Sequence, residues 1–309
     1  MRALISGGTG FVGSHLVRRL VGDGWDVSIL VRRESDTWRI KDVLRDVAVV
    51  YGDLRKLSDC EEKIKSLKPE ALFHLAWHGA GSNKDANNIG QVFDNIDGSL
   101  KLVKACGETG CSCMVGLGSV LEYGNYSIPV KEDGIATPKT LYGTAKYATG
   151  VIAERLCAQY DMRFSWLRLF WSYGPADIET RMIPYVITRL LKGETPSLTE
   201  GRQKWDYIYI DDAVNAVISA AENQKANGFF NLGSGQAYTV RHVAEKARDL
   251  INPNLKLGLG KIPYAPGQIM HLEADINSLR TATGWSPKVE LADGLASTIS
   301  WYKKHMVRS

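Results

Sequence analysis

No stretch of this chain stays apolar for the roughly 18 residues that a membrane-crossing helix needs, so nothing points to a span or a bilayer partner. Nor is there room for a leader peptide, because strand and glycine-loop patterning begins at the second residue. Both features suit a soluble, cytoplasmic protein. Cysteine is scarce as well, with 5 residues in 309. An odd number spread over Cys60, Cys106, Cys111, Cys113 and Cys157 excludes a disulfide framework and suits a reducing compartment. Cys111 and Cys113 are two apart on an apparent strand with no second ligand pair nearby, and the histidines form neither HxxxH nor HxH spacing, so no metal site is expected. An excess of one charge is lacking too. Lys+Arg number 38 against Asp+Glu 34, a net charge of +4, and the basic residues are scattered, which gives nucleic acid no stripe to follow. Internal repeats, low-complexity tracts and linkers are absent, so the chain should form one enzyme-sized body.

What is present is a rhythm. Arg2 to Ser6 reads as a short buried strand, then come Gly7-Gly8-Thr9-Gly10 and an amphipathic run from Phe11 to Val21. Apolar strands follow at Val27 to Val31, Val47 to Val50, Ala71 to Leu75 and Cys113 to Leu117, each separated by helix-like stretches. A helix over about Leu141 to Tyr160 and a strand over Phe164 to Leu169 complete the series. Strands alternating with helices predict an α/β fold, a Rossmann-type doubly wound parallel sheet, with a smaller interleaved C-terminal substrate lobe. We place the cofactor-binding part at residues 1–170, rejoined by segments around 205–232, and the substrate lobe mainly at 171–309. Tyr207 to Ile210 reads as a strand running into a helix capped by Asp211 or Asp212.

Gly7, Gly10 and Gly13 are spaced GxxGxxG between a strand and a helix, where small residues let backbone amides at the helix N-terminus approach a pyrophosphate. After the second strand come Arg32 and Arg33, where an NAD-specific fold would place an acidic residue against the ribose 2′-hydroxyl. Two arginines there favour a 2′-phosphate, hence NADP(H) over NAD(H), although Glu34 follows and could take the acidic role. Asp53, at the end of a strand, could accept from the adenine amino group. Tyr142 and Lys146 are four apart on a helix and share a face. The ammonium is expected to lower the phenol pKa and make Tyr142 an acid or base near neutrality. Ser119 follows a strand at the carboxyl edge of the sheet, where its hydroxyl can bond a reacting carbonyl.

The segments GGTGFVG at 7 to 13, FHLA at 73 to 76, Asn95 to Gly98, GSVLEYG at 118 to 124 and YGTAK at 142 to 146 resemble the extended short-chain dehydrogenase/reductases that act on nucleoside-diphosphate sugars. So do RLFWSYGP at 168 to 175, DYIYIDDA at 206 to 213, NLGSG at 231 to 235 and TGWSPK at 283 to 288. The resemblance spans nearly the whole chain. It implies a triad of Ser119, Tyr142 and Lys146 and usually a homodimer. It also implies a cofactor site drawn from Gly7, Thr9, Gly10, Phe11, Val12, Gly13, Arg32, Arg33, Asp53, Leu54, Leu75, Ala76, Trp77, Asn95 and Leu169 as well as Tyr142 and Lys146. The substrate would meet His78, Ser119, Trp171, Arg181 and Trp205.

Within the group, 4,6-dehydratases carry Asp-Glu directly after the Ser/Thr. Here Val120 and Leu121 stand there, and aliphatic side chains cannot move protons. Glu122 resembles the EYG of GDP-4-keto-6-deoxymannose reductases, yet alternation puts it off the catalytic face. The arginine pair tilts the reading towards an NADPH-dependent reductase of a nucleoside-diphosphate 4-keto-6-deoxyhexose. An NAD-dependent 4-epimerase is the alternative, and a non-catalytic NADP(H)-binding regulator a minor one. Trp171, Trp205 and Ala265 replace an asparagine and two arginines that are common in the family. Arg181, Arg189, Lys192, Arg202 and Lys204 are the candidates to grip a diphosphate instead.

Overall fold

The computed structural model describes residues 1–79, 85–124, 128–134 and 136–306. Seven parallel strands form the main sheet: β1 (Arg2–Ser6), β2 (Asp26–Val31), β3 (Ala48–Tyr51), β4 (Ala71–His74), β5 (Cys113–Ser119), β6 (Arg163–Leu169) and, later in the chain, Gly228–Leu232. Their spatial order is β3-β2-β1-β4-β5-β6 and then Gly228–Leu232. The order reverses between β1 and β4, the switch point at which doubly wound sheets open a crevice beyond their carboxyl ends. The strand cores are continuous apolar runs, as expected where helices cover both faces. Ala3, Leu4, Ile5, Leu72 and Phe73 are all buried.

The helix α1 (Phe11–Gly22) starts directly after the glycine loop, and α2 (Glu61–Leu67), α3 (Gly90–Phe93), α4 (Ile96–Gly107) and α5 (Leu141–Gln159) follow. Thr140 caps α5 by accepting from the Gly143 amide at 3.1 Å, which fixes where that helix begins and so the direction of Tyr142 and Lys146.

A second sheet is built on β8 (Lys204–Tyr209). It pairs in parallel with β7 (Trp171–Tyr173) and with His271–Leu272, and antiparallel with Ala237–Thr239. Between β7 and β8 runs α6 (Met182–Leu191), and after β8 comes α7 (Ile210–Glu222). Completing the fold are β9 (Gly228–Leu232), β10 (Ala237–Thr239), α8 (Val240–Ile251), β11 (His271–Leu272), α9 (Asn277–Thr283) and α10 (Leu291–Met306). In α8 the buried residues Val240, Val243, Ala244 and Ala247 fall at the spacing of one helix face. Of the stretch 205–232, β8 stays in the second sheet while β9 joins the seven-stranded one.

One cap differs from the expectation. Helix α7 begins at Ile210, and neither Asp211 nor Asp212 is its N-cap. Asp212 lies in the first turn and points elsewhere, its Oδ2 accepting from the amides of Lys288 at 2.9 Å and Val289 at 2.8 Å. The two incoming amides of the chain before α10 compete for that carboxylate more effectively than the helix's own end. Cys111 likewise precedes β5 instead of lying on it; all five cysteines are free and buried.

Candidate active site

A cavity of about 980 Å³ runs along the carboxyl edge of the main sheet and on beneath β7 and β8. Its first end is a backbone cradle. Gly7 has φ +78, and a Cβ there would fall 2.6 Å from the Ala76 amide nitrogen; a Cβ on Gly13 would fall 2.1 Å from the Gly7 carbonyl oxygen. Only glycine lets the loop, the start of α1 and the chain after β4 close up this far. Gly10, the N-cap of α1, supplies no side-chain cap. The first amides of the helix therefore remain for an anion, helped by the helix dipole. A dinucleotide pyrophosphate fits this cradle. Thr9, Phe11, Val12, Leu54, Leu75, Ala76 and Leu169 also line the cavity.

At the end of β2 the two arginines part. Arg32 lines the cavity and pairs with Glu34 at 3.6 Å. Arg33 is not among the lining residues: its guanidinium sits 5.1 Å over the Tyr51 ring. Asp53 lines the cavity too, but both its oxygens are engaged by Arg55, with Oδ2 2.6 Å from Nη2, which holds its carboxyl below the usual range. Asn95 is fully buried and braces the segment after β4. Its Oδ1 accepts from the His78 amide at 2.6 Å, and its Nδ2 donates to the His78 carbonyl at 3.2 Å.

Ser119, Tyr142 and Lys146 come together on the middle wall. Ser119 ends β5 and caps the following turn, its Oγ accepting from the Leu121 amide at 3.2 Å. Lys146 projects from α5 into the same space. Its Nζ donates to the Leu117 carbonyl at 2.7 Å and lies 4.0 Å from the centre of the Trp77 ring. Trp77 is pinned by its own Nε1, which donates to Gln91 at 2.8 Å, and meets the Tyr142 ring edge-on at 6.1 Å between centres.

The expected lowering of the Tyr142 pKa is not what this arrangement produces. Burial pushes the phenol up to about 12, against an opposing pull from the neighbouring Ser119 hydroxyl. Burial likewise pushes the Lys146 ammonium down, with Glu122 pulling it back up. The physical reason is that both groups share one dry wall, where desolvation disfavours phenolate and ammonium alike, and the lysine spends its short hydrogen bond on Leu117. In the ligand-free site Tyr142 is therefore a neutral phenol at neutral pH.

At the far end, Trp171 and Trp205 lie with ring centres 5.2 Å apart. Trp205 and Tyr207 alternate on one face of β8, opposite Trp171 on β7 in register with Tyr207. Of the five basic residues proposed to grip a diphosphate, only Arg181 lines the cavity. Arg189 pairs with Glu194 and Arg202 with Glu200. Arg181 itself pairs with Asp177 at 3.3 Å, a buried carboxyl that burial pushes up to about 6. His78 lines the cavity near Asp94, 3.4 Å from its Oδ2. Residues 80–84, in the stretch after β4, lie outside the described residues.

Sequence reasoning missed Asp177 and Tyr207, which line the cavity, and Trp166 and Arg168, which lie behind it. For Arg168 there was a signal: a cation within the apolar run RFSWLRL calls for a buried partner. Asp177 had none, because its place depends on how the chain after Gly174-Pro175 folds back.

A cavity at the switch point of a doubly wound sheet, with a glycine cradle at one end and a Ser-Tyr-Lys wall in the middle, defines a dinucleotide-binding oxidoreductase. The chain belongs to the NAD dependent epimerase/dehydratase family, which it matches over residues 3–233. It is 26% identical to a UDP-glucose 4-epimerase of Lactobacillus helveticus, over 99% of this chain and 98% of that relative. It is 24% identical to a dTDP-glucose 4,6-dehydratase of Streptomyces niveus, over 98% of this chain and 93% of that one. Among solved structures, the UDP-glucose 4-epimerase of Thermotoga maritima with UDP-glucose superposes with a TM-score of 0.90 at 26% identity, covering 99% of this chain and 100% of that one.

Proposed function

We propose that this protein is an NAD-dependent 4-epimerase of a nucleoside-diphosphate sugar, in preference to the 4-keto reductase that Arg32 and Arg33 suggested. The observation that carries this reading is the parting of those arginines: Arg33 stacks on Tyr51, and Arg32, paired with Glu34, is left alone at the ribose end of the cavity. The argument for an NADPH-consuming reductase rested on both. The epimerase relatives at 26% identity, aligned end to end, support the same choice. Dehydration is disfavoured because Val120 and Leu121 put no proton-moving group beside Ser119.

A bound nicotinamide would supply the hydride acceptor and donor. The chain's own part is proton handling and orientation. Tyr142 as phenolate takes the proton of the C4 hydroxyl as hydride leaves C4 and gives it back when hydride returns to the other face, Ser119 hydrogen-bonds the same oxygen, and Lys146 stabilises the phenolate that must be present at the start. Because burial raises the phenol in the ligand-free site, the cation of Lys146 matters most for forming the phenolate that starts the reaction. We place the sugar end against Trp171 and Trp205 and the diphosphate near Arg181. In this reading residues 1–170 with β9 form the cofactor half, and the protein works as a homodimer.

The test is to incubate the purified protein with UDP-glucose and with UDP-galactose and to separate the products chromatographically. Interconversion without net change in nicotinamide absorbance is expected. Stoichiometric NADPH consumption with a nucleoside-diphosphate 4-keto-6-deoxyhexose, and no interconversion, would return the assignment to a reductase.

A further inference from the structure

Behind the wall that carries Ser119 and Lys146 lies a buried polar network that the proton chemistry above does not use. Glu122 has 0% exposure. Its Oε1 accepts from the Ser119 amide at 2.8 Å and from Trp166 Nε1 at 2.9 Å, and its Oε2 accepts from Arg168 Nε at 3.0 Å. The same Trp166 ring lies 5.8 Å from the Lys146 ammonium, whose hydrogen bond goes to Leu117, two residues before Ser119 on β5. Arg168 carries the network onward: its Nη1 donates to Tyr123 Oη at 2.9 Å, and Tyr123 donates to Asn231 on β9 at 2.7 Å. One carboxylate thus holds the backbone of one catalytic residue, the ring beside a second and a guanidinium that reaches the last strand of the sheet.

A buried ammonium needs a counter-charge if it is to stay protonated. The titratable groups whose charge would act on Lys146 are Glu122, from the turn after β5, and His74, from β4; Tyr142 stands one turn earlier on its own helix, and Arg168 of β6 pairs with Glu122. His74 is held between Ser6 and Ser99 and pushed down to about 3, so it is neutral, and Tyr142 is neutral as well. Among these groups only the Glu122 carboxylate can be negative. Burial pushes its own pKa up, while Arg168, Trp166 and the Ser119 amide favour the ionised form.

We propose that Glu122 is a positioning residue: it fixes the Ser119 turn and supplies the negative charge that keeps Lys146 cationic in its buried setting. The inference rests on Lys146 serving the proposed epimerase site, yet it concerns the ligand-free protein and can fail separately.

The experiment is a pH titration, by NMR, of ligand-free protein labelled with ¹³C at the lysine Cε, with Lys146 assigned by the loss of its resonance in Lys146→Arg. In Glu122→Gln the Lys146 midpoint should fall by about one pH unit or more, as loss of a close opposite charge predicts, and in Glu122→Asp it should return part of the way. An unchanged midpoint in folded Glu122→Gln would overturn the proposal, leaving Glu122 a purely structural brace. Should that variant not fold, the double variant Glu122→Met/Arg168→Met replaces the buried pair with apolar side chains, an exchange that folded proteins often tolerate. A Lys146 midpoint there no lower than in Arg168→Met alone would be equally fatal, since that comparison isolates the carboxylate. Absence of UDP-sugar interconversion in the wild type would defeat the functional reading while leaving this titration readable.

Discussion

The two ends of the cavity differ in what does the recognising. At the dinucleotide end the backbone does it: Gly7 and Gly13 bring the loop and the start of α1 to within contact of each other and of Ala76, and the amides of that helix face the ligand space. At the other end the proposed recognition falls to side chains: Trp171 and Trp205 lie with ring centres 5.2 Å apart, and Arg181 is the one lining residue of its basic group. A backbone site tolerates no Cβ, so its sequence is constrained whatever the substrate is. A side-chain site can be rebuilt by exchanging residues on an unchanged scaffold.

The seam between the ends is where this contrast can be broken most sharply. Tyr142→Phe removes the proton donor and leaves both ends intact. Turnover should fall by about 10²–10⁴-fold, the usual weight of general acid-base catalysis, with NAD affinity within twofold by fluorescence titration. Near-wild-type turnover would mean that another group moves the proton. Next in size is Gly13→Ala, whose Cβ would meet the Gly7 carbonyl oxygen at 2.1 Å. Backbone has to shift, at an overpacking cost of about 1–3 kcal/mol. Calorimetry should show NAD binding weakened by about tenfold or more, and the melting temperature should drop. Unchanged NAD affinity would show that the cradle does not hold the pyrophosphate.

These two ends also explain how much was legible beforehand. Strand β1 and helix α5 end within a residue of their expected limits, because continuous apolar runs and a glycine stop are local properties. That Ser119, Tyr142 and Lys146 meet on one wall could be read because β5 ends at Ser119 and the first two turns of α5 carry Tyr142 and Lys146. What could not be read depends on chain segments that meet only in three dimensions. The direction of the Tyr142 shift required knowing that the Lys146 ammonium would turn to Leu117 and Trp77. Asp212 looked like a cap until the distant amides of Lys288 and Val289 claimed it. Glu122 looked like a turn residue off the catalytic face, and only the arrival of Trp166 and Arg168 from β6 made it a buried anchor.

At the side-chain end, Trp205→Ala leaves the cradle untouched and removes the partner of Trp171. The KM for the sugar nucleotide should rise by about tenfold, the order of a lost aromatic contact, with NAD affinity unchanged. A change in NAD affinity instead would show that the two ends are coupled and that the contrast is too simple.

The smallest effect tests the one place where the backbone end relies on side chains. Arg32 borders the ribose position but is partly exposed and paired with Glu34, so its contribution to binding a 2′-phosphate is screened. Arg32→Ala should weaken NADP binding by about fivefold, in line with the about 1 kcal/mol or less of exposed ion pairs, and leave NAD within twofold. Arg33→Ala should alter neither cofactor, because its guanidinium is spent on Tyr51. If Arg33→Ala weakened NADP strongly, that side chain must swing off Tyr51 to the ligand, and the case for an NADPH-dependent reductase would regain the residue on which it was first built.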